Sequence, residues 1–108
     1  MEYPNLFRAI NIAGLQIKNR IVKAPMCTNY ADENGFVTPE MIPYYRERAR
    51  GGAGLVMVEF THIDKIASQS WAFQLGAESD DKIEGLSRLA DVIQEEGAVS
   101  ALQICHCG

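Results

Sequence analysis

Several residues have types and spacings that could do chemistry. Cys27 stands two positions past Pro25, just beyond the apolar run 21–24. It could serve as a nucleophile, a redox thiol or a weak donor beside a cofactor, although cysteine more often acts as a small buried hydrophobe. Gln103 lies near the end of the apolar run 98–105. Its amide offers both a donor and an acceptor, so it could match a ligand edge that offers both, or it could bond neighbouring backbone. Either way a partner is expected, because an unpaired buried amide is costly. Composition alone favours the backbone.

Glu59 is a charge at the end of the apolar run 54–60. It is either paired with a basic group for structure or placed in a site, and its residue type does not separate the two. Cys105-His106-Cys107 invites a metal, but the period of a strand turns the two cysteines one way and the histidine the other. The C-x2-C spacing of zinc knuckles is missing as well. Gly51-Gly52-Ala53-Gly54 follows a helical pattern and precedes a strand, the reverse of a phosphate cradle, and it lacks the accompanying lysine; it reads as a helix stop. His62 is expected in a solvated loop.

The elements that must position these residues follow from periodicity and punctuation. Ala9-Ile10-Asn11-Ile12 and Leu15-Gln16-Ile17-Lys18 alternate about Ala13-Gly14, which predicts a hairpin within 6–18. Residues 21–24 form a short buried strand ended by Pro25, which has no N–H for a ladder. A polar loop with an Asn34-Gly35 turn leads to a helix with Thr38 as N-cap and Pro39 at its first position. Met41, Tyr44, Tyr45 and Ala49 share a face of this helix, and Gly51-Gly52 ends it.

Residues 54–60 form a strand apolar at nearly every position, as in a parallel sheet covered on both faces. The connection 61–79 is longer than a plain connector needs, so it is expected to be functional or to pack on something, anchored by Trp71 and Phe73. A second helix begins at Asp80 or Asp81 and reaches Glu96, with Ile83, Leu86, Leu89, Ala90 and Ile93 as its stripe and Gly97 beyond. Residues 98–105 are a third buried strand.

Composition narrows the class of function. The chain has 108 residues, 47% hydrophobic, with net charge −4. No basic cluster marks a nucleic-acid or acidic-membrane binder. No apolar run reaches the ~20 residues of a membrane span, and Met-Glu-Tyr-Pro-Asn lacks the regions of a signal peptide. Three cysteines in no scaffold-like spacing suggest a reducing cytoplasm.

Alternation of buried strands with helices predicts right-handed βαβ units in an α/β fold, either a doubly wound sheet or a (β/α)8 barrel. A barrel takes about 250 residues, so the chain is expected to be the start of a larger domain: a partial barrel over 1–108, with a hairpin plug at 1–19 and the first βαβαβ units at 20–108.

Taken together, these segments resemble the N-terminal part of the old yellow enzyme family of FMN-dependent oxidoreductases. The resemblance rests on Leu15-Gln16-Ile17-Lys18-Asn19-Arg20-Ile21-Val22-Lys23-Ala24-Pro25-Met26, on Tyr45-Arg46-Glu47-Arg48-Ala49-Arg50-Gly51-Gly52-Ala53-Gly54-Leu55, on the Glu59 strand end, and on Leu102-Gln103-Ile104-Cys105-His106-Cys107-Gly108. The loop Thr28-Asn29-Tyr30-Ala31-Asp32-Glu33-Asn34-Gly35 is similar to the branch holding 2-enoate and dienoyl-CoA reductases.

The resemblance implies the N-terminal portion of a (β/α)8 TIM barrel, with FMN across its C-terminal mouth. Ala24, Pro25 and Met26 would line the flavin. Cys27 would sit by its redox-active side and tune its potential. Gln103 would pair with the pyrimidine edge. The position after Glu59 is usually small, and Phe60 departs from that pattern. NAD(P)H would reduce FMN, and reduced FMN would pass hydride to the β-carbon of an activated alkene. A 4Fe-4S cluster and FAD, where that branch carries them, would belong to other domains.

The family's substrate-carbonyl pair, phosphate site and proton donor lie on later strands. The expectation is therefore that these residues alone neither hold FMN tightly nor catalyse, and that a second copy or a complementary C-terminal chain is a conceivable partner. Two rivals stand beside this reading: a non-catalytic α/β module associating through an open sheet edge, and a different phosphate-handling barrel enzyme.

Overall fold

A computed structural model describes residues 2–108. The order is α1 (Pro4–Phe7), β1 (Ile10–Ile12), β2 (Leu15–Ile17), β3 (Val22–Lys23), α2 (Met41–Arg50), β4 (Leu55–His62), β5 (Leu75–Gly76), a 3-10 turn (Asp80–Lys82), α3 (Ile83–Glu95) and β6 (Val99–Cys105). β1 and β2 pair antiparallel with Ile12 opposite Leu15. Ala13 and Gly14 both take positive φ, 51° and 82°, as a tight two-residue hairpin turn requires. The first turn of chain is helical, so the hairpin starts at Ile10; Leu6 and Phe7 both donate backbone N–H groups to the Tyr3 carbonyl.

β3, β4 and β6 run parallel in that spatial order, and β5 adds to the far end of β4 on the β3 side. α2 and α3 share one core with β4. Met41, Ile42, Tyr45 and Ala49 meet Val56, Val58, Leu89, Val92 and Ile93 in a single buried cluster. Both helices therefore lie on one face of the sheet. A doubly wound sheet puts helices on both faces, whereas a barrel keeps them outside, so the barrel is the architecture these elements build.

Several expectations shift in detail. Thr38 does not cap α2: its hydroxyl is spent as a donor to the Tyr30 carbonyl, and Glu40 takes the cap position after a turn closed by Met41 N–H on the Thr38 carbonyl. Pro43 falls in the first helical turn, where no N–H is needed. Ile42 replaces Tyr44 among the buried residues of α2, and Ile83 is exposed at the start of α3.

β4 continues two residues past Phe60, because β5 on one side and β6 on the other supply partners for Thr61 and His62. Trp71 and Phe73 are both exposed; Trp71 still ties the long connection to the loop before α2 by donating from its Nε1 to Asn29 Oδ1 at 2.7 Å, and the buried Ser68, Gln74 and Leu75 hold the rest. β3 and β6 are less covered than buried strands should be. Val22 is 53% and Ile104 64% exposed, since only one face of the sheet carries helices.

Candidate functional site

The parallel register aligns Lys23 with Val56 and Val56 with Ser100. The C-terminal ends of β3, β4 and β6 therefore share one edge of the sheet. On that edge the structure brings together the segment 24–27, the end of β4 and the tail of β6. Ala24, Met26, Cys27 and Gln103 are exposed, while Pro25 and Phe60 are half-buried.

Gln103 occupies a special position. Val58 pairs with Leu102 and Thr61 with Ile104, so Glu59 and Phe60 together face Gln103 across a β-bulge. Bulges re-aim side chains and recur beside active sites. Among the described residues the Gln103 amide has no hydrogen-bond partner, so the backbone pairing that composition favoured is not made. Its donor and its acceptor both remain free at the strand end.

The bulge also explains Glu59. Val58 belongs to the helix-side core, and the next residue, Glu59, turns to the same side. There its Oε2 accepts hydrogen bonds from Tyr45 Oη at 2.7 Å and Thr28 Oγ1 at 2.8 Å, and its backbone N–H donates to Tyr45 Oη at 2.9 Å. Of the two roles left open for Glu59, it thus has a structural one, and its hydrogen-bond donors are a tyrosine and a threonine and not a base. Burial pushes the Tyr45 hydroxyl well above its ordinary range, and the Glu59 charge adds to the shift; the hydroxyl stays protonated and keeps donating.

The Lys23 ammonium is buried without a hydrogen-bond acceptor and lies 5.2 and 5.1 Å from the ring centres of Tyr44 and Tyr45. Burial lowers its pKa, the nearby Glu59 charge opposes that, and Arg48 adds to the lowering. Thr28 ties this cluster to the loop that carries Cys27 and also accepts from the Tyr30 N–H at 3.1 Å. Tyr45 and Thr28 were not singled out from the sequence. The available signal was a carboxylate ending an apolar strand, which must find donors.

His62 is a correction: it is fully buried at the end of β4 and not in a solvated loop. Its Nδ1 lies 3.5 Å from Glu78 Oε2, and Lys82 Nζ lies 3.3 Å from Glu78 Oε1. Lys82 also donates to the Asn34 carbonyl and lies over the Phe36 ring. Burial lowers the His62 pKa; Glu78 opposes and Lys82 assists.

Cys105 and Cys107 do face one way, with their Sγ atoms 3.7 Å apart. Among the described residues no group of three or more His, Cys, Asp or Glu side chains could hold a metal ion. Among the described residues no helix is long and apolar enough to cross a membrane.

The model of the NADH:flavin oxidoreductase/NADH oxidase family matches residues 5–108. The chain belongs to that family. Among its relatives is the NADH oxidase of Thermoanaerobacter brockii, 42% identical over 107 residues, a match covering 99% of this chain and 16% of that protein. The NADH:acrylate oxidoreductase of Vibrio harveyi is 43% identical over 96 residues, covering 89% of this chain and 9% of that protein.

The solved old yellow enzyme homologue of Zymomonas mobilis superposes with a TM-score of 0.88 at 30% identity, covering 97% of this chain and 29% of that one. This member of the family therefore carries the N-terminal portion of a (β/α)8 barrel and spans less than a third of each of these relatives.

Proposed function

We propose that this chain forms one wall of an FMN site in an NAD(P)H oxidoreductase that reduces activated carbon–carbon double bonds. The observation that carries the reading is Gln103. It is an unpartnered amide facing a bulge, on the edge where the ends of β3 and β4 also lie. A flavin's pyrimidine ring presents donors and acceptors side by side, which a free glutamine amide can match.

The residues present fit that group. Gln103 would hold the pyrimidine edge. Ala24, Pro25 and Met26 offer a small, partly apolar surface beside it, and Cys27 a weak thiol donor. Phe60 contributes a larger side chain than the position usually has, which narrows the pocket on the β4 side. When bound, FMN supplies the hydride chemistry. This chain orients the ring and presents donors to it; the hairpin would plug the floor of the barrel. The relative named for acrylate supports an alkene conjugated to a carboxylate as the small-molecule substrate.

On this reading the chain by itself neither retains stoichiometric FMN nor oxidises NAD(P)H, because later strands must complete the site. FAD and a 4Fe-4S cluster rest on the resemblance alone, and no residue here is assigned to them. Three free cysteines are compatible with a reducing cytoplasm.

The test is a chimera in which this chain replaces the matching segment of the Zymomonas mobilis enzyme. It should purify yellow and reduce a conjugated alkene with NAD(P)H. A folded but colourless chimera would sink the reading.

A second reading has its own observation: the edge of β6 away from β4 pairs with nothing among the described residues. Free edges template pairing, so a second copy or a complementary chain carrying later strands would dock there. Light scattering of the chain alone distinguishes a monomer from a self-associating module.

A further inference from the structure

The flavin reading leaves Cys105 and Cys107 unused, and the long connection 61–79 without a purpose. The two belong together. Ser68 and Gln74 are the fully buried polar residues of that connection, apart from its first two, and both reach the tail of β6. The Ser68 carbonyl accepts from the Cys107 N–H at 3.3 Å. Gln74 Nε2 donates to Cys105 Sγ at 3.3 Å, while its Oε1 accepts from the Ser70 N–H at 2.8 Å, which fixes the orientation of the amide. The ladder pairs Cys105 with His62, so both cysteines are held from outside β6. Their sulfurs are 3.7 Å apart, close enough for small rotations to bring them into bonding distance.

We propose that Cys105 and Cys107 form a thiol–disulfide exchange site that takes a low-molecular-weight disulfide as co-reactant and closes to an intramolecular Cys105–Cys107 disulfide. The roles follow from exposure. Cys107 is exposed and Cys105 partly covered, so the Cys107 thiolate attacks the incoming disulfide RSSR. A Cys107–S–S–R bond forms and RS⁻ leaves. Cys105, having released its proton to water, then attacks the Cys107 sulfur and expels the second RS⁻.

Both leaving groups take up protons, so two cysteine thiols are oxidised and one RSSR is reduced to two RSH. The Gln74 N–H stabilises the Cys105 thiolate that the second step needs, against burial and the neighbouring Cys107, which push its pKa up. A ring closed over a single intervening residue is tight, and tight disulfides are readily reduced again.

The experiment is to incubate the reduced full chain with oxidised glutathione and follow intact mass and peptide maps. Expected is a product lighter by two hydrogens, with Cys105 joined to Cys107 and only Cys27 still titratable. Reduced glutathione should reverse the change. C105S should stop at a glutathione adduct on Cys107, and C27S should close like the parent. Stable adducts on the parent without closure, two thiols that stay free, or links to Cys27 or between chains would each overturn the proposal. The parent map decides even where a variant fails to fold.

Discussion

Tyr45 and Glu59 exchange two hydrogen bonds through one hydroxyl: Tyr45 Oη donates to Glu59 Oε2 at 2.7 Å and accepts from the Glu59 N–H at 2.9 Å. This contact locks α2 onto the bulge of β4, beside Gln103. Tyr45→Phe removes both bonds and leaves a buried carboxylate with Thr28 as its remaining donor. The expected loss is about 3 kcal/mol in urea unfolding, because a buried charge loses a partner it cannot replace with water. Tyr44→Phe is the control; no hydrogen bond of the Tyr44 hydroxyl is present, so a change within about 0.5 kcal/mol is expected. Equal losses at both positions would refute the account.

Gly54 joins the hairpin to the sheet. Its N–H donates to the Ile21 carbonyl and its carbonyl accepts from Val99 N–H, both at 2.9 Å. A Cβ there would lie 2.7 Å from the Asn19 backbone oxygen and 2.6 Å from Asn19 Oδ1. Asn19 cannot step aside freely, since its side chain donates to the Gly52 carbonyl at 2.7 Å and accepts from Ile21 N–H at 3.0 Å. Gly54→Ala should therefore destabilise by about 2–3 kcal/mol through overpacking. Unfolding of Gly14→Ala is the comparison: that site is open, and only its positive φ of 82° is strained, so about 1 kcal/mol is expected.

The buried His62 predicts a pH dependence. Its folded pKa lies below the ordinary 6.5, with burial as the first cause. The unfolded chain then binds the proton more readily, so stability is fully present above about pH 6.5 and falls as pH drops below it. Glu78 and Asp64 oppose the lowering while Lys82 and Lys65 reinforce it, which limits the size of the effect but not its sign. Between pH 7 and pH 5 the melting temperature should fall, and His62→Gln should flatten that slope. A parent whose melting temperature is level or rises over this interval would contradict the assignment.

The elements that were legible in the sequence are those set by local chemistry. Ala13-Gly14 marked the hairpin turn, Gly51-Gly52 the end of α2, and continuous apolar runs marked β4 and β6. What was not legible depends on partners distant in the chain. His62 reads as a loop residue because Thr-His is polar, yet the end of β6 and β5, the latter recruited from a connection with no strand pattern, both pair with it and extend β4 through it.

Thr38 has the chemistry of a cap but gives its proton to the Tyr30 carbonyl. Trp71 does anchor its connection, but through an indole N–H on Asn29 Oδ1 and not by burial, and Ser68 and Gln74 hold the rest through hydrogen bonds that no hydropathy pattern records. At the site, the residue types at 24–27 and 103 were readable. The bulge that sets two residues of β4 against Gln103 was not, because register is a property of two strands.

Gln103 allows a test that separates binding from scaffolding. Exposed and without a hydrogen-bond partner, its side chain contributes little to the fold, so Gln103→Leu should change the stability of the chain by no more than about 0.5 kcal/mol. In the chimera with the Zymomonas mobilis enzyme, on the proposed flavin role, the same substitution would remove a paired donor and acceptor and leave the flavin edge facing apolar carbon. About 1.5–3 kcal/mol of binding should be lost, a roughly ten- to hundredfold weaker hold on FMN. Gln103→Glu keeps the acceptor but loses the donor and adds charge, so it should weaken binding as well. Flavin release on dilution reads both variants. If Gln103→Leu instead unfolds the chain while the chimera keeps its FMN, then Gln103 is a structural residue, and the flavin wall must be built from the β3 end alone.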